Sequence, residues 1–231
     1  MIRRSAGAFD PLFFERSPLF WPIARAARTF AREVDWPDVS AYASAFVGTP
    51  PVRFEPSAPV ARRKRRATPI DPRTLYDARI AVDGCVPTRP RSWHDFLNAL
   101  VWATFPGAKR ALHERQHHAL VSSLPAGTRR LPGSRSREHD ALALLDEGGV
   151  VMLVGPHERT GVVFGHALYE GIVLGVRAMA ARVVEARVDE VPEDEGGRVR
   201  WADAVLEAAL RGGSLVPESL PRIALAELSE G

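Results

Sequence analysis

Residues 93–105 read WHDFLNALVWATF and predict the helix around which the rest of the chain is organised. At about 100° per residue, Trp93, Leu97 and Leu100 share one apolar face. A second face gathers an imidazole, a carboxylate, an amide and an indole, from His94, Asp95, Asn98 and Trp102. A solvated face rarely carries a tryptophan beside so many polar groups. We therefore expect another protein element or a ligand to cover this polar face.

The residues that flank this helix predict where it begins and ends. Ser92 followed by Asp95 resembles a capping box, so the helix should begin after Ser92. Pro106 and Gly107 should interrupt it, because proline cannot continue a helix without losing a backbone hydrogen bond. A second helix is expected to follow at once, through residues 107–124.

The remaining segments predict a mixture of helices and strands. Further helices are expected at residues 22–34, 38–46, 164–175 and 201–210. Strands are expected at residues 75–82 and 180–188, and residues 140–155 (DALALLDEGGVVMLVG) predict a β-hairpin with Asp146 and Glu147 at its turn. The predicted fold is α+β, with helices packed on a small, mainly antiparallel sheet.

A proline-rich, arginine-rich segment precedes this part of the chain. Residues 49–73 read TPPVRFEPSAPVARRKRRATPIDPR, and five consecutive basic residues run from Arg62 to Arg66. Prolines at this density exclude a regular helix or a central strand. We predict an extended N-terminal arm, and three parts of the chain: residues 1–75 with the arm, a core at 76–190, and a C-terminal helix and tail at 191–231.

Composition is typical of a globular protein. The chain has 231 residues, 45% of them hydrophobic and 26% charged, which is enough to bury a sizeable core. Cys85 is the single cysteine, so the sequence excludes internal disulfides and cysteine-rich zinc sites. No apolar run is long enough for a membrane span or a secretory signal. We expect a cytoplasmic protein with no membrane partner.

The charge is unevenly distributed along the chain. Residues 1–75 hold 13 Arg and Lys against 7 Asp and Glu, whereas residues 76–231 hold 18 against 21. Nucleic acid is a partner that the basic run Arg62–Arg66 would fit. A solvated linker is the alternative that we favour for this run.

Ionisable residues from two later segments are candidates to meet the polar face of the first helix. His166 and Glu170 are spaced i,i+4 in FGHALYEG, so their side chains lie on one side of a helix. Asp146 and Glu147 would approach from the hairpin turn. Histidine and carboxylate ligands suit zinc, manganese or iron(II), and a histidine with a carboxylate partner is also the usual general base. A structural network of buried polar groups explains the same residues equally well.

Three further histidines, His113, His117 and His118, lie close together on the second predicted helix. Arg115 and Glu114 lie among them. We interpret this as a solvated helix face and not as a set of ligands.

Four blocks of the chain resemble the bacterial DUF3025 family, a domain of unknown function. They are YDARI at 76–80, PTRPRSWHDFLNALVWATFPGAKRALHERQ at 87–116, DALALLDEGGVV at 140–151 and FGHALYE at 164–170. The resemblance covers roughly residues 20–190. The residues on its first long motif are Thr88, Arg89, Trp93, His94, Asp95, Asn98, Trp102, Pro106 and Lys109, and those on its later motifs are Gln116, Asp140, Asp146, Glu147, His166 and Glu170. The chain departs from the family pattern at His139, Ala143 and Leu145.

We expect a hydrolase-like enzyme that acts on an anionic substrate, with a divalent metal as its candidate cofactor. The candidate catalytic residues are His94, Asp95, Asn98, His166 and Glu170. The candidate metal ligands are His94, His166, Glu170 and Asp146. The candidate substrate-binding residues are Arg89, Lys109, Arg137 and Trp102. The alternative is a non-enzymatic binding module whose basic arm contacts nucleic acid or an acidic partner. The sequence contains no serine-nucleophile, P-loop or dinucleotide motif.

Overall fold

The described residues form seven α-helices, a four-stranded mixed sheet and a separate pair of strands. A computed structural model describes residues 8–57, 71, 75–124, 128, 136–213 and 220–229, so the basic run Arg62–Arg66 of the predicted arm lies outside the described residues. The α-helices are α1 (Ala24–Arg28), α2 (Tyr76–Ala81), α3 (Trp93–Thr104), α4 (Pro106–Ser123), α5 (Arg137–Gly148), α6 (His166–Val173) and α7 (Glu195–Arg211). Short 3-10 helices lie at Phe13–Glu15, Pro18–Phe20, Val39–Ala45 and Leu225–Ser229. Across the described residues, no helix is both long enough and apolar enough to cross a membrane.

The strands form a four-stranded sheet and a separate pair. They are β1 (Arg53–Pro56), β2 (Cys85–Thr88), β3 (Gly149–Val154), β4 (Arg159–Val163), β5 (Ala180–Arg187) and β6 (Arg222–Ala224). The sheet order is β4-β3-β5-β6, and β1 pairs with β2. Within the sheet, β3 is antiparallel to β4 and parallel to β5, and β5 is antiparallel to β6. The predicted α+β class is confirmed, and the four-stranded sheet is mixed, with two antiparallel strand pairs and one parallel pair.

The predicted central helix is α3, and its ends lie where the sequence places them. Ser92 Oγ accepts a hydrogen bond from the Asp95 backbone N–H at 3.4 Å, which caps the helix. Pro106 then opens α4 at a position where its missing N–H costs nothing. Asp203 of α7 accepts hydrogen bonds from the backbone N–H groups of Gly107 and Ala108, at 3.2 and 2.7 Å. A distant carboxylate therefore caps α4.

Aromatic rings from the N-terminal segment cover the apolar face of α3. Phe9, Phe13 and Trp36 have ring centroids 4.9–5.4 Å from the centroid of Trp93. Phe96, one turn along the helix, is fully buried in the same hydrophobic cluster. The N-terminal segment thus packs on the helix that carries the polar face, and Leu206 of α7 joins the same cluster.

Two predicted strand segments are helices. Residues 75–82 were expected to form a strand but contain α2, and residues 140–148 of the expected hairpin belong to α5. Ser136 caps α5 by accepting from the His139 N–H at 3.2 Å, and alanine and leucine favour a helix after it. The true hairpin partner of β3 is β4. Asp146 and Glu147 therefore end a helix, and the prediction of a hairpin turn for them was wrong.

His113 is buried, so the prediction of a solvated face is wrong for this residue. Its side chain is 2% exposed, and its ring stacks on Trp102 with centroids 5.4 Å apart and planes 4° apart. Burial lowers the pKa of His113 to about 3. His118, on the same helix, is exposed.

The buried imidazole of His113 should make the protein less stable in acid. His113 binds a proton near pH 6.5 in the unfolded chain but only near pH 3 in the folded protein. The free energy of unfolding should therefore be highest above pH 6.5 and should fall as the pH drops below this value. We expect His113 to remove about 1.5–2 kcal/mol of unfolding free energy between pH 6.5 and 5. Urea unfolding of His113→Phe should show a correspondingly shallower pH dependence than the wild-type protein. An equal slope in the two proteins would contradict this.

Candidate metal centre

Helices α3 and α6 bring the two predicted histidines into direct contact. His94 Nε2 and His166 Nε2 are 3.1 Å apart, and the rings meet edge-on at a centroid distance of 4.4 Å. If a metal ion lay about 2.0–2.1 Å from both nitrogens, the N–metal–N angle would be about 100°, which is near the tetrahedral value. An N–H···N hydrogen bond would also fit 3.1 Å.

Glu147, at the end of α5, supplies a third donor atom. Its Oε2 is 3.6 Å from His166 Nε2. One donor atom from each of His94, Glu147 and His166 lies within 4.8 Å of the others, and this is the group with metal-ligand spacing among the residues that the structure describes. The His166 side chain is 3% exposed and that of Glu147 is 50% exposed. The group is thus enclosed at His166 and reaches solvent at Glu147.

Glu170 fixes the orientation of His94. Its Oε2 accepts a hydrogen bond from His94 Nδ1–H at 3.1 Å, because a carboxylate can only accept. His94 is therefore protonated on Nδ1 and has its lone pair on Nε2, the nitrogen that faces His166 and Glu147. Histidine ligands of metals ordinarily donate their other N–H to a carboxylate in this way. Glu170, predicted as a ligand, contacts the opposite nitrogen of the ring.

A buried ion pair lies beneath the histidines. Lys109 is completely enclosed, and its Nζ donates to Asp146 Oδ1 at 2.5 Å and to Asn98 Oδ1 at 2.8 Å. His166 Nδ1 has no hydrogen-bond partner among the described residues, and Asp146 Oδ1 lies 3.7 Å from it. Asp146, predicted as a ligand, therefore sits behind the group, on the side of His166 away from Glu147.

The pKa values of the two histidines shift in opposite directions. Burial alone would lower the pKa of His94, but the hydrogen bond to Glu170 and the charge of Glu147 outweigh it and raise this pKa. Burial lowers the pKa of His166 to about 3, despite the nearby charge of Asp146. Burial also raises the pKa of the Glu147 carboxyl. His166 is accordingly neutral at pH 7, the form that can ligate a metal.

Asp95 and Arg89 form a separate pair at the edge of the site. The guanidinium donates to both carboxylate oxygens, from Nε at 2.9 Å and from NH2 at 2.6 Å. Arg89 is 59% exposed, whereas Asp95 is 13% exposed. Asp95 is thus engaged with Arg89 and does not contact His94 or His166 by a hydrogen bond in the described structure.

The predicted substrate-binding residues occupy different environments. Lys109 and Trp102 are fully buried, and the Lys109 ammonium lies 5.6 Å from the centroid of the Trp102 ring. Arg89 and Arg137 are exposed, the latter at the first residue of α5. The two arginines therefore lie at the protein surface, whereas the contacts of Lys109 are inside the protein.

Glu147 is the site residue that the sequence reasoning did not assign as a ligand. Placing it at a hairpin tip hid its relation to His166. The signal was Ser136, whose position before an alanine- and leucine-rich run marks the start of a helix. A helix that ends at Gly148 directs the adjacent pair Asp146 and Glu147 to opposite sides of His166.

The comparisons with known proteins give one result. Residues 64–162 match the model of a family described as protein of unknown function (DUF3025), which confirms the predicted family over that segment. The segment includes His94 and Glu147 and ends before His166. No curated protein matches the chain, and no solved structure does.

Proposed function

We propose that the chain is a cytoplasmic, metal-dependent hydrolase in which His94, His166 and Glu147 bind one divalent ion. The observation that carries this proposal is the 3.1 Å separation of the two Nε2 atoms, with a carboxylate oxygen 3.6 Å from one of them. Two histidines and one carboxylate are a ligand set of catalytic zinc sites and of non-haem iron(II) sites. Zinc, manganese and iron(II) are therefore the candidate ions.

The surrounding residues would support hydrolysis in distinct ways. A bound divalent ion would supply Lewis acidity and a water whose pKa lies near 7. Glu170 holds His94 in the tautomer that presents Nε2 to the site. Burial keeps His166 neutral, so that it does not have to lose a proton before binding.

An anionic substrate group is the proposed target, and Arg89 is the residue that we assign to it. Its guanidinium is 59% exposed beside the site and keeps donor capacity beyond its pair with Asp95. Lys109, another of the predicted substrate contacts, already donates to Asn98 and Asp146 inside the protein. Substrate contact by Lys109 would require this buried pair to open.

The second candidate function is a binding module in which the same residues only stabilise the fold. The enclosed Lys109–Asp146 pair favours it, because buried polar networks can fix how helices pack. In that version His94 and His166 share a proton in a hydrogen bond and take no ion. The contact with nucleic acid through Arg62–Arg66, outside the described residues, then remains the candidate activity.

Metal analysis of protein purified without an affinity tag separates the two candidates. We expect one equivalent of zinc, manganese or iron, or the uptake of one equivalent when the metal-free protein is titrated with each ion. His118→Ala removes an exposed histidine from α4 and should leave the stoichiometry at one. Protein that contains no metal and takes up none of the three ions would overturn the hydrolase proposal.

A further inference from the structure

A carboxylate outside the proposed set of metal ligands lies against the second histidine. Asp146 Oδ1 is 3.7 Å from His166 Nδ1, whereas His166 Nε2 faces His94 and Glu147. His166 Nδ1 is buried and has no hydrogen bond of normal length and angle among the described residues. Most buried polar atoms in folded proteins are paired, so the orientation of this nitrogen toward Asp146 requires an explanation.

The carboxylate of Asp146 is held in place by a buried lysine. Lys109 Nζ donates to Asp146 Oδ1 at 2.5 Å and to Asn98 Oδ1 at 2.8 Å. The side chain of Lys109 is 0% exposed, and an ammonium has donors only. The Lys109 ammonium therefore keeps an acceptor oxygen at this position, and the same oxygen faces His166 Nδ1.

The oxygens of Asp146 determine which nitrogen of the His166 ring carries the hydrogen. Burial lowers the pKa of His166, whereas the charge of the Asp146 carboxylate and, more weakly, the main-chain carbonyl of Asp146 act to raise it. Both groups accept and cannot donate. A distance of 3.7 Å is too long for a hydrogen bond, but charges still interact strongly at this distance inside a protein. An N–H at His166 Nδ1 is attracted to the carboxylate, whereas a lone pair there would be repelled.

The same argument applies to His94, whose Nδ1–H donates to Glu170 Oε2 at 3.1 Å. When both Nδ1 atoms carry hydrogen, both neutral rings have their lone pairs on Nε2. These two lone pairs face each other across 3.1 Å. They repel unless a cation lies between them, and a histidine that ligates a metal does so through such a lone pair.

We propose that Asp146 is the positioning residue of His166: it holds the ring in the Nδ1–H tautomer and so directs the Nε2 lone pair toward His94 and Glu147. Glu170 has the corresponding role behind His94. Lys109 acts one step further away, because it fixes the oxygen of Asp146. The consequence for metal affinity rests on the proposed function, whereas the tautomer of His166 does not.

Nitrogen NMR of the metal-free protein measures the tautomer directly. In a neutral imidazole, the nitrogen that carries hydrogen and the nitrogen with the lone pair resonate in separate ranges, and a histidine with an ordinary pKa is neutral at about pH 8.5. The chain has seven histidines, and His166→Gln assigns the signals of His166 by their loss. We expect His166 to be protonated at Nδ1 and unprotonated at Nε2, the opposite of the form that neutral histidine prefers in water. An unprotonated Nδ1 would overturn the proposal.

A double variant tests whether the carboxylate of Asp146 is the cause. Lys109→Met with Asp146→Leu replaces the buried ion pair by apolar side chains, a change that folded proteins often tolerate. His166 should then become mainly the Nε2–H tautomer, because this hydrogen can be donated to His94 Nε2 across 3.1 Å. Glu170→Gln is the matched control, since it removes the carboxylate behind His94 and should leave the tautomer of His166 unchanged. If the double variant keeps the Nδ1–H form, the carboxylate does not set the tautomer and the proposal fails.

Zinc titration of the double variant measures what the tautomer contributes to the metal centre. We expect the variant to bind zinc about 10–100-fold more weakly than the wild-type protein, the loss usual for residues behind metal ligands. Equal zinc affinity in the two proteins would reject this role of Asp146. If the wild-type protein takes up no metal, the hydrolase proposal fails, and the tautomer of His166 still decides whether Asp146 positions the ring.

Discussion

Replacing Lys109 with methionine is expected to lower the free energy of unfolding by about 3–5 kcal/mol, because it leaves the carboxylate of Asp146 buried without its partner. The Lys109 side chain is 0% exposed and that of Asp146 is 13% exposed. Burial would raise the pKa of Asp146, but the Lys109 ammonium outweighs it and holds this pKa well below its usual range. Asn98 loses its hydrogen-bond donor in the same variant.

Urea unfolding at pH 7 measures the effect, and two further variants isolate its cause. Arg110→Met changes the next residue, whose side chain is 57% exposed and pairs with Glu114, so its cost should be within about 1 kcal/mol. Lys109→Met combined with Asp146→Asn removes the unpaired charge and should recover part of the loss. If Lys109→Met lowers the free energy of unfolding no more than Arg110→Met does, the buried Lys109–Asp146 pair stabilises the fold no more than an exposed ion pair.

The part of the fold that local sequence determines was predictable. Helix α3 begins after Ser92 and ends before Pro106 because the cap and the proline act within a few residues of the backbone that they affect. The two faces of α3 follow from helical spacing alone. The burial of Asn98 and Trp102 follows as well, since that face required a cover.

Secondary structure was not predictable in segments whose apolar residues fit both the helical and the strand periodicity. The run ALALLDEGGVVMLV has short apolar stretches that suit a strand or a buried helix, and it divides between α5 and β3. The helix prevails up to Gly148, and the β-branched residues that follow it form β3 between β4 and β5. The position of Glu147 depended on that division.

Contacts between distant parts of the chain were beyond local reasoning for a different reason. Lys109 and Asp146 are 37 residues apart, and Asp203 caps α4 from 96 residues beyond Gly107. Neither contact has a local signature, since each depends on how whole helices pack. The polar face of α3 indicated that His94 would meet residues of another element such as His166. The distance between the two imidazole rings could not be predicted in this way.

His94→Ala gives the clearest separation between a metal centre and a structural network. With zinc at 100 times its dissociation constant, the wild-type protein should gain about 2.7 kcal/mol of unfolding free energy. Loss of a ligand should weaken binding by at least 100-fold, more than the 10–100-fold usual for residues behind the ligands. At the same zinc concentration His94→Ala should then gain no more than about 0.4 kcal/mol.

Two further variants test the zinc effect: we expect an intermediate gain in stability for Glu170→Gln and the wild-type gain for His118→Ala. Glu170 contacts His94 Nδ1 and not the proposed ion, so its amide variant should lose about 10–100-fold in zinc affinity and gain about 0.4–1.4 kcal/mol. His118→Ala, an exposed histidine outside the site, should gain as much as the wild-type protein. A structural network gives a different pattern: His94→Ala then loses about 1–3 kcal/mol whether or not zinc is present, and the wild-type protein gains nothing from the metal. Stabilisation by zinc that is lost in His94→Ala is therefore expected of a zinc-binding centre and is excluded by the structural network.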